Sequence, residues 1–411
     1  VLADQRSRLQ GAMIELVGER GYRRVTVRSL SRTAGVSTRT FYKHFDNVEA
    51  CFATTSEELM QCALRRTAAA MEESAGYEQR VRDGLRVLLE AIAAHPKAAH
   101  LVLIDSFAAG APLLMQMRRA FDEFERLLTV TFAAPPEETS VPPRIVQGMV
   151  AGATRVVRTR LLVGEARELP DLAGELGDWM LSLCDAYVVE RAVDSRAMRS
   201  RGEPPEEQRN GHAALLAAAR DERRRIFTAV TKLGMNHGYE ALTISGIRIE
   251  AGVSRRGFDA QFASMDECFL EAIEALAAAA GARAERRAIG AGSWERGVYL
   301  AAVTLCSEVA RTPSLAQLSF IDILAPGRVG LQRRERLVAK AADRLRHLAP
   351  AERRPSELAA EASVAAAWKI IQAEIADGNG DDLLDIAPTI AYALVAPTAG
   401  AAKAASAIGV E

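Results

Sequence analysis

The sequence predicts an all-α chain of two similar units in tandem, and three observations carry that prediction. The stretch from Gly21 to Phe52, GYRRVTVRSLSRTAGVSTRTFYKHFDNVEACF, recurs without insertion from Gly238 to Phe269 as GYEALTISGIRIEAGVSRRGFDAQFASMDECF, 217 residues downstream and with twelve identical positions. A repeat at so long a period duplicates a domain, and it outranks other signals in setting the architecture. Apolar residues recur at helical spacing along the chain, punctuated by Pro and Gly, with no convincing alternation of the strand type. A length of 411 residues exceeds one ordinary domain and suits two, while 49% hydrophobic with only 5% aromatic residues points to helices packed through small side chains.

In the first unit, Leu9, Met13, Leu16 and Val17 fall on one helical face, and Gly21 ends that helix. Thr26 sits where an N-cap belongs, ahead of a short helix bearing Val27, Leu30 and Ala34; Gly35 supplies a turn and Ser37 caps a third helix through His44. Three short helices, the last two joined by a tight Gly-containing turn, form a helix-turn-helix pattern. The second copy repeats it with Ile226, Val230, Leu233, Gly238, Thr243, Gly252 and Ser254, and Ser264 to Glu267 adds a capping box. Behind each head the pattern stays helical, near 48–73, 77–94, 97–108, 112–133, 143–163 and 171–192, then near 265–288, 293–311, 314–324, 328–348, 356–376 and 382–396. Pro96, Ile104-Asp105 and Gly110 match Pro313, Ile321-Asp322 and Gly327 at the same offset, so the bodies are expected to repeat as well.

The expected domains are therefore a head at 1–50, a body at 51–194, a linker at 195–219, a second head at 220–267 and a second body at 268–411. The linker is charged, contains Pro204-Pro205 and lacks apolar periodicity. A net charge of −1 confines any nucleic-acid surface to a local patch. Five cysteines without a C-x-x-C pair suit a reducing compartment, and with no long apolar run or leader-like segment the expected setting is soluble and cytoplasmic, away from membranes.

The run TVRSLSRTAGVSTRTFYKHFDNVEAC resembles the DNA-binding head of TetR/AcrR-type transcriptional regulators, and the likeness extends over both halves of the chain. It implies two tandem TetR-like units, each a three-helix helix-turn-helix head plus a helical regulatory body of the kind that takes a small-molecule effector. The implied partner is a double-stranded DNA operator, and no cofactor is implied. Relatives of this kind act as two-fold dimers whose heads meet successive major-groove faces about 34 Å apart. With two heads on one chain, the expected state is an intramolecular pseudo-dimer on an asymmetric operator, in which the 143–192 helices pack on the 356–396 helices; a homodimer is the alternative state, and a ligand-binding or interaction protein whose second head, or both, no longer binds DNA is the alternative function. Gly148, Gly152, Trp179 and Leu183, with Ala362, Ala365, Ala366, Trp368, Ile386, Ile390 and Leu394, are candidates for that helix packing.

Chemistry at a recognition helix needs donors on one face while the other face is buried. Phe41 and Phe45 supply the buried side, leaving Thr38, Arg39, Thr40, Tyr42, Lys43 and His44 for the groove. Arg39 suits guanine; Thr26, Tyr42 and Lys43, with the cap Ser37, suit phosphates that set register. Residues 1–50 carry nine basic against five acidic side chains. The second head has eight against seven over 218–268, with Asp259-Ala260-Gln261 replacing Tyr42-Lys43-His44, and its candidate contacts are Thr243, Arg255, Arg256 and Gln261. Val48 and Met265 stand where this family often has a lysine. The effector is expected among His100, Leu103, Phe107, Met117 and Phe121 or their second-unit counterparts, with Asp105 pairing with an arginine such as Arg119. The six histidines show no metal spacing and no hydrolase, P-loop or dinucleotide motif is present, so an enzyme is not expected.

Overall fold

The computed structural model describes residues 2–108, 111–133, 141–184 and 222–409, which are helical with no strand. Two compact units divide the chain, Val1–Ala186 and Tyr187–Glu411. The expected linker at 195–219 and the end of the helix expected at 171–192 lie outside the described residues.

The first unit opens with α1 (Leu2–Arg20), α2 (Val27–Ala34) and α3 (Thr38–Phe41). Leu9, Met13, Leu16, Val17, Leu30 and Phe41 are buried at 0–4% exposure, so the three short helices share one core. Each such side chain contributes about 1.5–3 kcal/mol by leaving water, which is what holds helices too short to persist alone. The body follows as α4 (Val48–Glu72), α5 (Tyr77–Ala94), α6 (Pro96–Leu103), α7 (Ala111–Phe132), α8 (Pro143–Val163) and α9 (Ala173–Leu181).

The second unit runs α10 (Glu222–His237), α11 (Ile244–Ala251), α12 (Arg255–Asp259), α13 (Met265–Ile289), α14 (Trp294–Ala310), α15 (Pro313–Ala316), α16 (Arg328–Leu348), α17 (Glu357–Ala376), α18 (Ala387–Ala399) and α19 (Ala401–Ala407). One core joins head to body here, for Ile226, Ile247, Phe258 and Phe269 of the head region share it with Leu318, Ile323 and Leu337.

Three expectations are corrected. The helix expected over 97–108 stops at Leu103 and tightens into a 3-10 turn at Asp105–Ala108, because Ser106 Oγ donates back to the Val102 carbonyl at 2.7 Å and Asp105 turns inward. Asp105, 2% exposed, takes His100 Nδ1 at 2.7 Å as its partner instead of Arg119; a buried carboxylate needs a close polar partner, and the histidine five residues earlier reaches it first. The segment expected as one helix over 314–324 breaks into α15, a π turn at Gln317–Ile321 and a 3-10 turn at Asp322–Leu324. There the Phe320 carbonyl accepts from Gln372 Nε2 at 3.1 Å, so a side chain takes over one rung of the helical ladder.

Among the described residues, no single helix is long and apolar enough to cross a membrane.

Candidate nucleic-acid interface

The first head is built by its caps. Ser29 N donates to Thr26 Oγ1 at 3.1 Å while Thr26 N donates to Ser29 Oγ at 3.0 Å, a closed capping box that starts α2. Gly35 ends α2 at φ 62, a left-handed conformation that costs a side-chain-bearing residue, and Arg8 Nη2 donates to its carbonyl at 3.0 Å. Thr40 N donates to Ser37 Oγ at 3.0 Å, which starts α3 two residues past the glycine. Caps, turn and the buried Phe41 and Phe45 fix where α3 points.

The outward face carries the expected groups, with two exceptions. Thr38, Arg39 and Lys43 are exposed, and Tyr42 is 60% exposed. α3 is shorter than expected: it ends at Phe41, and Tyr42 to His44 form a turn. In that turn His44 faces inward, its Nε2 buried without a hydrogen-bond partner, so it is not on the open face with Tyr42 and Lys43. Thr40 is half-buried with its hydroxyl 2.9 Å from Ser37 Oγ, and Thr26 has its hydroxyl in the capping box. The free cationic and phenolic groups are thus Arg39, Tyr42 and Lys43, with the exposed Arg23, Arg24, Arg28 and Arg32 beside them on the same head.

The segment expected as a second head, Glu222 to Phe262, has the same local geometry and different chemistry. Thr243 Oγ1 accepts from Gly246 N at 3.1 Å, Gly252 is left-handed at φ 63, Ser254 Oγ accepts from Gly257 N at 3.0 Å, and Phe258 and Phe262 are buried. Arg255 and Arg256 are exposed, but Arg255 Nε donates to Asp259 Oδ2 at 2.8 Å. Gln261 is half-buried with its amide 3.3 Å from the Gly257 carbonyl. Glu222 lies against the first turn of α12, so close that a Cβ on Gly257 would stand 2.4 Å from its Oε1. Lys232 is tied to Glu250, and Ile249, in the place of Arg32, is 80% exposed.

The residues expected to hold an effector in the first unit are mostly packed: Leu103 and Phe107 are buried, His100 is bound to Asp105, and Met117 and Phe121 are half-buried. The second unit holds a cavity of about 1980 Å³ between α13, α14, α16, α17, α18 and the π turn. Ile273, Leu276, Val298, Leu305, Leu345 and Ile371 line it, and Phe320 and Trp368 stack beside it with ring centroids 4.6 Å apart. Of the counterparts expected from the 217-residue offset, Phe320 reaches this wall. Trp368, Ile390 and Leu394 also border the cavity. No sequence signal marked Trp294 or Trp368 as cavity residues, because six separate stretches of chain make the wall.

Charge on that wall is sorted. Lys340 and Arg333 hold the Glu274 carboxyl below the usual carboxylate range, Lys340 most strongly. Arg283 Nη2 donates to Glu308 Oε2 at 2.8 Å, and Arg344 Nε lies 3.9 Å from Glu285.

Residues 11–55 match the family described as bacterial regulatory proteins, tetR family. Among solved structures, the chain is similar to the fatty acid degradation regulator FadR from Bacillus halodurans, at 18% identity and a TM-score of 0.40, over 43% of this chain and 94% of that one. It is also similar to the transcriptional regulator FadR from Bacillus subtilis, determined in complex with stearoyl-CoA, at 16% identity and a TM-score of 0.40, over 44% of this chain and 98% of that one. The family match at 11–55 falls on the caps, turn and recognition helix of the first head, so this segment is a helix-turn-helix head of the tetR type.

Proposed function

We propose that the chain is a ligand-responsive repressor made of two tandem TetR-like units, which acts as a single-chain pseudo-dimer on an asymmetric operator. The observation that carries the DNA-reading part is the open face of the first head, where Arg39, Tyr42 and Lys43 stand clear of solvent-excluding Phe41 and Phe45. Arg39 reads a guanine edge; Tyr42 and Lys43, with the amide end of α2 at Thr26 and the cap at Ser37, bind phosphates. Support for the tandem reading comes from the repeated caps at Thr243 and Ser254, the second left-handed glycine and the second buried phenylalanine pair. Arg256 is the second head's one recognition-helix cation outside the Arg255–Asp259 pair, so the first half-site dominates binding.

The cavity in the second unit is the effector site in this reading. A ligand acts by binding the DNA-incompetent shape more tightly, because equal affinity for both shapes shifts nothing. Solution mass of the DNA complex, combined with unbiased selection of operators at a stated salt concentration, tests the proposal. One chain on an asymmetric site is the expected result. Two chains on a palindrome would favour the second reading, a homodimer that touches DNA through its first heads alone, which the self-paired face of the second head also fits.

A further inference from the structure

Resting on the reading of the second-unit cavity as the effector site, we infer that it takes an elongated amphiphile with an anionic head, a carboxylate or a phosphate, and refuses lipophilic cations of the same length. The apolar part follows from the wall, where aliphatic side chains from five helices enclose about 1980 Å³. That exceeds the roughly 300–1,000 Å³ of common small-ligand pockets, so the space suits a long chain.

The sign of the head follows from the charges. A lipophilic cation entering a low-dielectric cavity needs a free carboxylate. The carboxylates bordering the cavity are Glu274, Glu285 and Glu308, and each is already opposed by a cation: Lys340 and Arg333, Arg344, and Arg283 respectively. Arg286 and Arg287 border the same cavity, are exposed where it meets solvent, and have no carboxylate partner among the described residues. Their position in the last turn of α13 also favours the helix dipole, a gain of a few tenths of a kcal/mol that would hold without any ligand.

A second feature at the same corner points to an incoming acceptor. Trp294 begins α14 a few residues beyond Arg287, borders the cavity at 9% exposure, and its indole N–H is buried without a hydrogen-bond partner. An unmet buried donor is costly, and an oxygen of an anionic head would meet it once the ring turns its N–H toward the cavity. Arg286, Arg287 and Trp294 all border the cavity where α13 gives way to α14, and the headgroup is placed there, with the chain running between α13 and α17.

The test uses the full chain and four probes of equal length below their micelle concentrations: dodecanoate, dodecyl phosphate, dodecan-1-ol and dodecyltrimethylammonium. Binding is read by tryptophan fluorescence and by the shift in melting temperature. The expected result is that at least one anion binds about tenfold or more tightly than the alcohol, with the cation weakest, and the tighter anion names the head. In an Arg286→Gln/Arg287→Gln variant the anion should fall to the level of the alcohol while the alcohol is unchanged. Trp294→Phe, which keeps a ring and removes the N–H, should weaken the anion severalfold more than the alcohol. A cation or an alcohol that binds as tightly as both anions overturns the inference and leaves the effector cavity standing. Failure of all four to bind a cooperatively melting chain would overturn the cavity reading itself.

Discussion

Arg255 Nε and Asp259 Oδ2 stand 2.8 Å apart across one turn of α12, so the arginine that opens this short helix is held by a carboxylate on its own face. The matching positions of the first head are Thr38 and Tyr42, both exposed and neutral. An exposed pair of this kind is worth only about 0.3–0.5 kcal/mol, too little by itself to keep an arginine from a phosphate. The carboxylate matters more as a fixed negative charge where the DNA backbone would approach.

Removing that charge should therefore improve DNA binding. Asp259→Asn keeps the shape, frees Arg255, and is expected to raise affinity severalfold and steepen the salt dependence by about one unit of slope. Anisotropy titrations of the full chain from low to moderate salt check it. An unchanged affinity and slope would mean that the second head does not meet DNA in the complex, as the homodimer reading requires.

On the first head the two cations should separate by role. Lys43→Ala is expected to weaken binding to all sequences alike and to lower the salt slope by about one. Arg39→Ala should cost roughly 1–3 kcal/mol and relax the preference at one base pair. Selection from a randomised operator library distinguishes the outcomes, since only the second variant changes the consensus.

The left-handed turn between α2 and α3 sets the aim of the reading face. Gly35→Ala places a Cβ at φ 62 and within 2.5 Å of Arg8 Nη2. The strain is about 1 kcal/mol, and displacement of Arg8 also breaks its bond to the Gly35 carbonyl. DNA affinity should fall more than the melting temperature does.

Thiol reactivity should divide the five cysteines sharply. Burial pushes the thiols of Cys51, Cys184, Cys268 and Cys306 up to about 12, and Cys62 is exposed. At pH 8 the native chain should react quickly with one equivalent of a thiol reagent and take up the other four only on unfolding. Rapid labelling of two or more would show that a buried core opens readily.

Acid should weaken the second body through Glu274. Its pKa is depressed by Lys340 first and Arg333 next, so its stabilising effect is complete above the unfolded carboxylate range near 4.3 and is lost as pH falls below it. The side chain is 27% exposed, which keeps the expected contribution to about 1 kcal/mol or less. Glu274→Gln should lower the melting temperature at pH 7 and flatten its fall between about pH 5 and 3.

Much of the first head was legible in the sequence because its geometry is local. Thr26, Gly35 and Ser37 do their work within three or four residues, and the spacing of Phe41 and Phe45 gives the buried side directly. The same marks recur in the second unit at Thr243, Gly252 and Ser254. What the sequence could not supply was any feature set by residues distant in the chain. Glu222 reached the first turn of α12 through the packing of α10 across it. The cavity is the clearest case, since stretches over a hundred residues apart in sequence form its wall and the pairing of each carboxylate there depends on how those helices meet. Caps, turns and periodicity are properties of a short stretch of chain and so were determined by the sequence alone; enclosed space and the partner of a charge arise only when separate stretches pack, and those were decided by the tertiary structure.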